Sequence, residues 1–235
     1  MAQLLPGIVR VGDRLTLIGT IHVDASSALK VREEIKRLRP EVVALEIDQS
    51  RLYALQNPGL ARVSATPGTS FLAIVLLEKF AGRLAGSAPG TEMLYAVEAA
   101  RQVGAKVELV DLPVQNTITG LRKLPVRERL RLVADSIASL VLLPFGKADF
   151  SGLTDRLDEQ LKLFRSRYPN LSRLLLDVRE DYMASRIKRI LDATSGSVVV
   201  VVGFGHLASL SKRLADYEVR AAFSTSFSWS FSTGS

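Results

Sequence analysis

Five consecutive valines, inside a predicted strand at residues 197–202, are the feature that most restricts the fold of this chain. Valine is branched at Cβ and favours extended strands over helices. A strand with apolar side chains on both faces has to be covered on both faces, as in a parallel sheet between two layers of helices. We therefore predict that this segment is a central, fully buried strand of an α/β fold.

Other short aliphatic runs alternate with helical patterns along the chain. The strands predicted before the valine segment cover residues 8–11, 15–18, 42–45 and 106–110. The helices predicted between them cover residues 24–39 and 92–103. The first of these strands is expected to pair with the second through a turn at Gly12. The alternation predicts a mostly parallel central sheet that is covered by helices.

The four predicted core strands are residues 15–18, 42–45, 106–110 and 197–202. The segment between the third and the fourth of them differs from the rest of the chain. Residues from about 125 to 193 have a helical pattern almost throughout, which predicts a helical insertion. The sequence leaves its role open between a lid, a dimer surface that would make a homo-oligomer, and packing on the same domain. Residues 1–222 are predicted to form a single domain. Residues 223–235 form a Ser- and Phe-rich tail without an assigned function, whose alternation is compatible with an edge strand.

The composition excludes several kinds of site. The 235 residues include no cysteine, so disulfides, thiolate zinc sites and cysteine nucleophiles are ruled out. Any metal has to be bound by histidine, carboxylate or backbone oxygen atoms. The chain contains neither a phosphate-binding glycine loop nor a complete dinucleotide fingerprint. We therefore expect no nucleotide cofactor.

The net charge of +7 raises the question of an anionic partner. The basic residues are spread over helical stretches and form no block, so no nucleic acid partner is expected. Association with an anionic membrane surface, or with an acidic partner, fits the charge equally well. The start of the chain lacks signal-peptide features, and no apolar run approaches the roughly 20 residues that span a bilayer. A cytoplasmic location is the expectation.

Polar side chains follow each of the four predicted core strands. His22 and His206 lie just beyond the first and the fourth strand, whereas Glu46 and Asp111 end the second and the third. The carboxyl ends of parallel strands meet at one edge of a sheet, and ligands bind there. The sequence therefore predicts that these four residues line one polar pocket.

The two histidines, which are the only ones in the chain, each end a Gly-x-x-His turn. Glycine permits the tight turn and the close backbone approach that a ligand site needs. Two neutral imidazoles with Glu46 or Asp111 would suit a divalent cation such as Mn²⁺, Co²⁺ or Zn²⁺. The alternative is a hydrogen-bonded rim without a metal, in which Asp111 caps a turn and Glu46 pairs with Arg51.

Glu46 directly follows an apolar strand, so its carboxylate is expected to be partly desolvated and to need a partner. Arg51, five residues later, is the nearest cation in the sequence. A structural ion pair with Arg51 and a functional role are both compatible with this position. In a metal site, Glu46 would bind the cation or act as the general base on water.

Several short motifs occur in an order that resembles the TraB family, which includes pheromone-shutdown proteins and is related to the GumN and Tiki proteins. The resemblance covers about residues 13–215. The motifs that carry it are Gly19-Thr20-Ile21-His22, Glu46 with Arg51, Gly90-Thr91-Glu92-Met93, Asp111 with Thr117, Arg179-Glu180, and Gly203-Phe204-Gly205-His206. Leu112 and Thr119 stand where family members usually carry arginine, and Glu180 stands where they carry Asp or Asn.

The resemblance implies a pocket that contains both histidines, the glutamate after the second strand and nearby arginines. Carried over by position, the catalytic and metal-binding candidates are His22, Glu46 and His206. The substrate-binding candidates are Arg51, Arg179, Asp111 and Glu92. Longer family members carry C-terminal membrane helices, which would associate them with membranes.

Two functional hypotheses follow from this resemblance. Tiki proteins are metal-dependent proteases, which implies a metal-dependent, peptidase-like hydrolase that acts on a peptide signal and uses Mn²⁺, Co²⁺ or Zn²⁺. Pheromone-shutdown proteins limit a peptide signal by degradation or by sequestration. The second hypothesis is therefore a non-catalytic binding module that sequesters a peptide or another small signalling molecule.

Overall fold

A computed structural model of the chain describes residues 7–20, 25–57, 90–142 and 153–229. Two features that the sequence singles out lie outside these ranges. One is His22, and the other is the end of the tail at residues 230–235.

The described strands form one five-stranded sheet in the order β1-β2-β5-β3-β4. They are β1 (Gly7–Val11), β2 (Leu15–Thr20), β3 (Val42–Leu45), β4 (Lys106–Leu109) and β5 (Val198–Gly203). β1 runs antiparallel to β2, and the other pairs are parallel. The predicted mostly parallel sheet is therefore confirmed, with the valine-rich β5 at its centre.

Helices occupy most of the other described segments. They are α1 (Ala25–Leu38), α2 (Gln49–Gln56), α3 (Thr91–Val103), α4 (Val114–Arg122), α5 (Val126–Leu142), α6 (Leu153–Arg167), α7 (Pro169–Ser172), α8 (Val178–Ala193) and α9 (Phe204–Trp229). A π-helical turn, Arg173–Asp177, joins α7 to α8. None of the described helices is long and apolar enough to cross a membrane.

The structure corrects the prediction for the tail and leaves the predicted domain boundaries untested. Helix α9 continues to Trp229, so residues 223–229 are helical and do not form the edge strand that their alternation suggested. The boundaries of the single domain, and the treatment of residues 125–193 as an insertion, stay predictions.

Successive valines of β5 lie on opposite faces of the sheet and pack into two separate cores. Val198, Val200 and Val202 belong to a cluster with Met183, Ile187 and Leu191 of α8 and Leu210 and Leu214 of α9. Val199 and Val201 belong to a second cluster, with Val31 and Ile35 of α1 and Met93 and Ala96 of α3. Because side chains alternate along a strand, one run of valines fills both cores. This is why the sequence needs an uninterrupted apolar strand there.

A close approach between β2 and α9 explains one of the motif glycines. A Cβ added to Gly19 would lie 2.9 Å from Cδ2 of Leu207. Leu207 follows His206 directly in α9. The absence of a side chain at Gly19 therefore leaves room for Leu207, in the first turn of α9, against the carboxyl end of β2.

The core on the α8–α9 face should be sensitive to lost volume. Leu17 of β2 is fully buried in it, and replacing Leu17 by alanine is expected to lower the free energy of unfolding by about 2–5 kcal/mol. The matched control is Ile8→Ala, because Ile8 of β1 is 44% exposed. Its expected cost is about 0.5 kcal/mol or less. Urea denaturation measures both, and equal losses would contradict the packing described.

Candidate functional site

The candidate site lies at the carboxyl end of the sheet. Glu46 follows β3, Asp111 lies two residues beyond β4, and His206 lies in the first turn of α9 after β5. Leu45 and Val201 are paired in the sheet, and the amide of Glu46 also bonds Val201 O, so β3 and β5 end side by side. The parallel register thus brings together residues that are far apart in the sequence.

Arg179, at the start of α8, joins two of the strand ends. Its Nε donates to Oδ1 of Asp111 at 2.9 Å, and its Nη2 donates to Oδ2 of Asp111 at 2.8 Å. The same Nη2 donates to Oε1 of Glu46 at 2.6 Å. A guanidinium that binds one carboxylate through two donors is held in a fixed plane. Arg179 therefore fixes Glu46 and Asp111 relative to each other.

Burial and charge act in opposite directions on Arg179. Burial alone would lower the pKa of the guanidinium, but the charges of Glu46 and Asp111 and their hydrogen bonds raise it above its ordinary value. The side chain stays charged at any physiological pH. The guanidinium is thus a permanent positive charge at the edge of the sheet, next to the Asp111 and Glu46 side chains, which are 2% and 9% exposed.

Arg51, in helix α2, is a second cation that contacts Asp111. Asp48 caps α2 by accepting hydrogen bonds from the amides of Ser50 and Arg51, which sets the direction of the first turn. Nη1 of Arg51 then donates to Oδ2 of Asp111 at 3.0 Å. The side chain of Arg51 is 47% exposed, so it lies at the rim of the cluster.

The partner of Glu46 differs from the one that local spacing suggests. Sequence reasoning offered a Glu46–Arg51 pair. Among the described contacts, Arg51 bonds Asp111, and Glu46 is bonded by Arg179, which lies 133 residues away. Asp111 does cap the turn that follows it, because its Oδ1 accepts from the amide of Leu112 at 2.7 Å. One half of the hydrogen-bonded-rim alternative is therefore present in the structure.

The second oxygen of Glu46 is oriented by the backbone. Gly203 N donates to Oε2 of Glu46 at 2.6 Å. Oε1 of Glu46 lies 3.4 Å from Nε2 of His206. The last residue of β5 and the first turn of α9 therefore both face this carboxylate.

Glu180 is the site residue that sequence reasoning did not propose. Its side chain is 2% exposed, and its Oε1 lies 3.1 Å from Nδ1 of His206. Its Oε2 accepts from Ser209 Oγ at 2.6 Å and lies 3.6 Å from Nη2 of Arg213. His206, Ser209 and Arg213 are spaced three and four residues apart in α9 and share one helix face. That polar spacing is the signal by which the sequence could have indicated a buried carboxylate opposite this face.

The pKa of Glu180 reflects the same contacts. Burial alone would raise it, but the hydrogen bonds from His206 and Ser209 and the charge of Arg213 lower the pKa below its ordinary value near 4.5. Glu180 is therefore ionised at neutral pH. Since an ionised carboxylate only accepts hydrogen bonds, Nδ1 of His206 carries the proton in this contact.

Arg179 and Glu180 are neighbours in the chain, but they serve different partners. Arg179 bonds the carboxylates that follow β3 and β4, whereas Glu180 bonds the face of α9 that carries His206. The π-helical turn Arg173–Asp177 ends one residue before α8 begins. Such turns shift the register of a helix and occur often at functional sites.

The other predicted residues are placed as follows. Glu92 is buried in the first turn of α3, where the positive end of the helix dipole favours a carboxylate. His22 lies outside the described residues, so its distance from Glu46 and His206 stays a prediction.

The fit of a metal ion to this arrangement can be judged from the donors present. Among the described residues, no group of three or more His, Asp or Glu side chains is arranged as a metal site. The described donor pair is Nε2 of His206 and Oε1 of Glu46, 3.4 Å apart. Tetrahedral bonds of about 2.0–2.2 Å would separate two ligands by about 3.3–3.6 Å. The spacing of these two atoms matches two ligands of one cation, but Nη2 of Arg179 already bonds the same Oε1 at 2.6 Å. A third ligand would have to come from outside the described residues, where His22 lies.

Removing the cation from the ionic network should be costly. Arg179→Met leaves Glu46 and Asp111 buried without their shared partner, and we expect the free energy of unfolding at neutral pH to fall by about 3–5 kcal/mol. Arg165→Met is the matched control, because Arg165 pairs with Asp177 on the surface. The control should lose at most about 1 kcal/mol. Urea denaturation that gives the two variants similar losses would contradict the role assigned to Arg179.

The lowered pKa of Glu180 predicts a pH dependence. The folded state binds the proton less tightly than the unfolded chain, so Glu180 stabilises the fold above its ordinary pKa near 4.5. That stability is lost as the pH falls below about 4.5 through the folded pKa. In Glu180→Gln, the unfolding free energy should therefore vary less steeply with pH in this window than in the wild type. Identical slopes in urea denaturation at several acidic pH values would contradict the prediction.

Comparisons with known proteins agree with the family resemblance of the motifs. Residues 8–220 match the TraB/PrgY/gumN family. An uncharacterised protein of Methanocaldococcus jannaschii is 27% identical over 219 residues, which cover 86% of this chain and 53% of that protein. The chain therefore spans about half the length of this relative. On the extent of the family match, the chain belongs to the TraB/PrgY/gumN family.

Proposed function

We propose that this protein is a metal-dependent hydrolase of the peptidase type, with its reaction centre at His206 and Glu46. The observation that supports this proposal is the position of the His206 ring between two carboxylates. Nδ1 faces Glu180 at 3.1 Å, and Nε2 faces Glu46 at 3.4 Å.

The contact with Glu180 sets the chemistry of the ring. When Nδ1–H donates to Glu180, the neutral imidazole presents the lone pair of Nε2 to Oε1 of Glu46. Nε2 and Oε1 would then face each other as two acceptors 3.4 Å apart, and a metal ion between them would turn this contact into a pair of ligand bonds. A histidine that ligates metal through one nitrogen and donates from the other to a carboxylate is the usual arrangement in metal sites. Glu180 thereby supports a ligand role for His206.

The residues that would hold the ion are His206, Glu46 and, as the third ligand, His22. A divalent cation such as Mn²⁺, Co²⁺ or Zn²⁺ would supply Lewis-acid polarisation of a carbonyl group and make water acidic enough to attack it. Glu46 is held by the Gly203 amide at Oε2, so its Oε1 is aimed at the His206 ring. In this role Glu46 either binds the ion or accepts the proton of the attacking water.

In this proposal, arginine side chains orient the substrate. Arg51 is half exposed at the rim, where its guanidinium can donate hydrogen bonds to a peptide carboxylate alongside its bond to Asp111. Arg179 is already bonded to Glu46 and Asp111, and its role in this proposal is to fix these side chains. Glu92 and Asp111 stay substrate-binding candidates on the family resemblance. Arg179 and Glu180 both lie within residues 125–193, the segment predicted to be a helical insertion, and in this proposal that segment contributes one side of the pocket.

Sequestration of a peptide or small signal is the second candidate function, and one contact favours it. Nη2 of Arg179 occupies Oε1 of Glu46 at 2.6 Å, the same oxygen that would ligate the ion. A positive charge at that distance opposes a dication. In a pure binding module, the network stays as described and Arg51 alone recognises the carboxylate of the ligand.

Turnover of a peptide mixture separates the two functions. The protein is stripped with a chelator, supplied with Mn²⁺, Co²⁺ or Zn²⁺ in turn, and incubated with synthetic peptides whose products are read by mass spectrometry. We expect metal-stimulated cleavage that falls by about 10²–10⁴-fold in Glu46→Gln, since general base or ligand function is lost. His206→Ala should lose the metal stimulation.

The control for this experiment is Arg37→Ala, because Arg37 lies exposed on α1 and pairs locally with Glu34. It should cleave like the wild type. Peptide binding without cleavage under every metal condition would favour sequestration, and cleavage that is unchanged in both site variants would contradict the assigned centre.

A further inference from the structure

Helix α5 carries an apolar stripe on the surface of the protein. Val126, Leu130 and Val133 are 60%, 65% and 54% exposed. Their spacing of four and three residues puts them on one face of the helix. In the sequence the same spacing continues to Ile137 and Leu140. Most surface helices turn such a face toward the core, so an outward apolar stripe indicates a partner.

Polar contacts on the opposite face hold α5 in this orientation. Glu128 is buried, and its Oε1 accepts from the amides of Asn170 and Leu171 at 3.0 and 3.1 Å, which caps the start of α7. One turn later, Arg131 Nη1 donates to Arg167 O at 2.8 Å. Rotation of α5 that hid the stripe would uncover these groups and leave the α7 amides without their cap.

A second set of contacts fixes the same face. Asp135 accepts from Nε and Nη2 of Arg167 and from the hydroxyl of Tyr168. Tyr168 belongs to a small apolar cluster with Leu121, Leu124 and Leu171. Glu128 and Asp135 are the two acidic residues of the segment 122–135, and both lie on this inward face. They therefore add no negative charge to the stripe.

The borders of the stripe are basic. Arg127 and Arg129 are exposed on its two sides, and Arg122 and Lys123 are exposed in the turn before α5. An apolar helix face that is bordered by arginines matches the boundary between the acyl chains and the anionic headgroups of a membrane. Each arginine would add to the attraction, and the apolar side chains would enter the headgroup region.

We propose that the α5 stripe (Val126, Leu130 and Val133) docks this protein onto an anionic lipid surface. The α5 stripe lies outside the proposed hydrolase site, and its docking does not depend on hydrolase activity. A second copy of the chain fits less well, because arginines would face arginines at the borders. Three side chains also offer far less area than the roughly 800 Å² per partner of a stable protein interface.

Vesicle sedimentation of the full chain tests this proposal. The wild type should sediment with vesicles of phosphatidylcholine and phosphatidylglycerol in equal parts, stay in solution with phosphatidylcholine alone, and be released by high salt. Leu130→Glu should weaken the partitioning by about tenfold or more, since it replaces buried apolar area with a repelled charge. The matched control is Tyr53→Glu, because Tyr53 is 56% exposed on α2 and should not alter binding.

A second variant protects the test against misfolding. Arg127→Ala with Arg129→Ala removes two border charges from exposed positions and should also weaken binding, with an unchanged circular dichroism spectrum. Equal sedimentation with both kinds of vesicle, or wild-type binding by Leu130→Glu, would overturn the proposal. So would absence of lipid binding together with a dimer, seen by light scattering, that Leu130→Glu dissociates, because the occupant would then be a second copy.

Discussion

The ion pairs of Arg179 with Glu46 and Asp111 are the interaction on which the arrangement of the site depends. Asp111 is buried at the carboxyl edge of the sheet, Glu46 and Arg179 are largely buried beside it, and each charge would be costly there without the others. The pairs tie the ends of β3 and β4 to α8, and α8 in turn carries Glu180 to the face of α9. The position of His206 is thus fixed through a chain of contacts that begins at Arg179.

The sheet supplies the frame in which these charges meet. Its central strand, β5, fills the two cores alternately and ends at Gly203, whose amide orients Glu46. Leu207, in the first turn of α9, packs against Gly19 of β2. Because neighbouring residues complete the core and direct the polar groups, core packing holds these groups in place, as the proposed site would require.

Much of the fold was predictable from the sequence, because its signals are local. The valine run predicted the central strand, and the polar residues after each strand predicted where Glu46, Asp111 and His206 would meet. Contacts between distant residues were not predictable. Nothing near Glu46 in the sequence indicates that Arg179 is its partner, and Glu180 looks like an ordinary residue of an amphipathic helix until α9 is placed opposite it. His22 lies outside the described residues, so the third ligand stays a prediction.

The central claim is that His206, oriented by Glu180, and Glu46 bind a divalent cation. Calorimetric titration of the chelator-treated protein with Zn²⁺, Mn²⁺ and Co²⁺ tests it most directly, without any assumption about the substrate. The account predicts saturation by one ion in the wild type, an affinity lowered about 10–100-fold in Glu180→Gln, and no specific binding in His206→Ala. A wild-type protein that binds none of the three ions, or binds them unchanged in His206→Ala, would contradict the account.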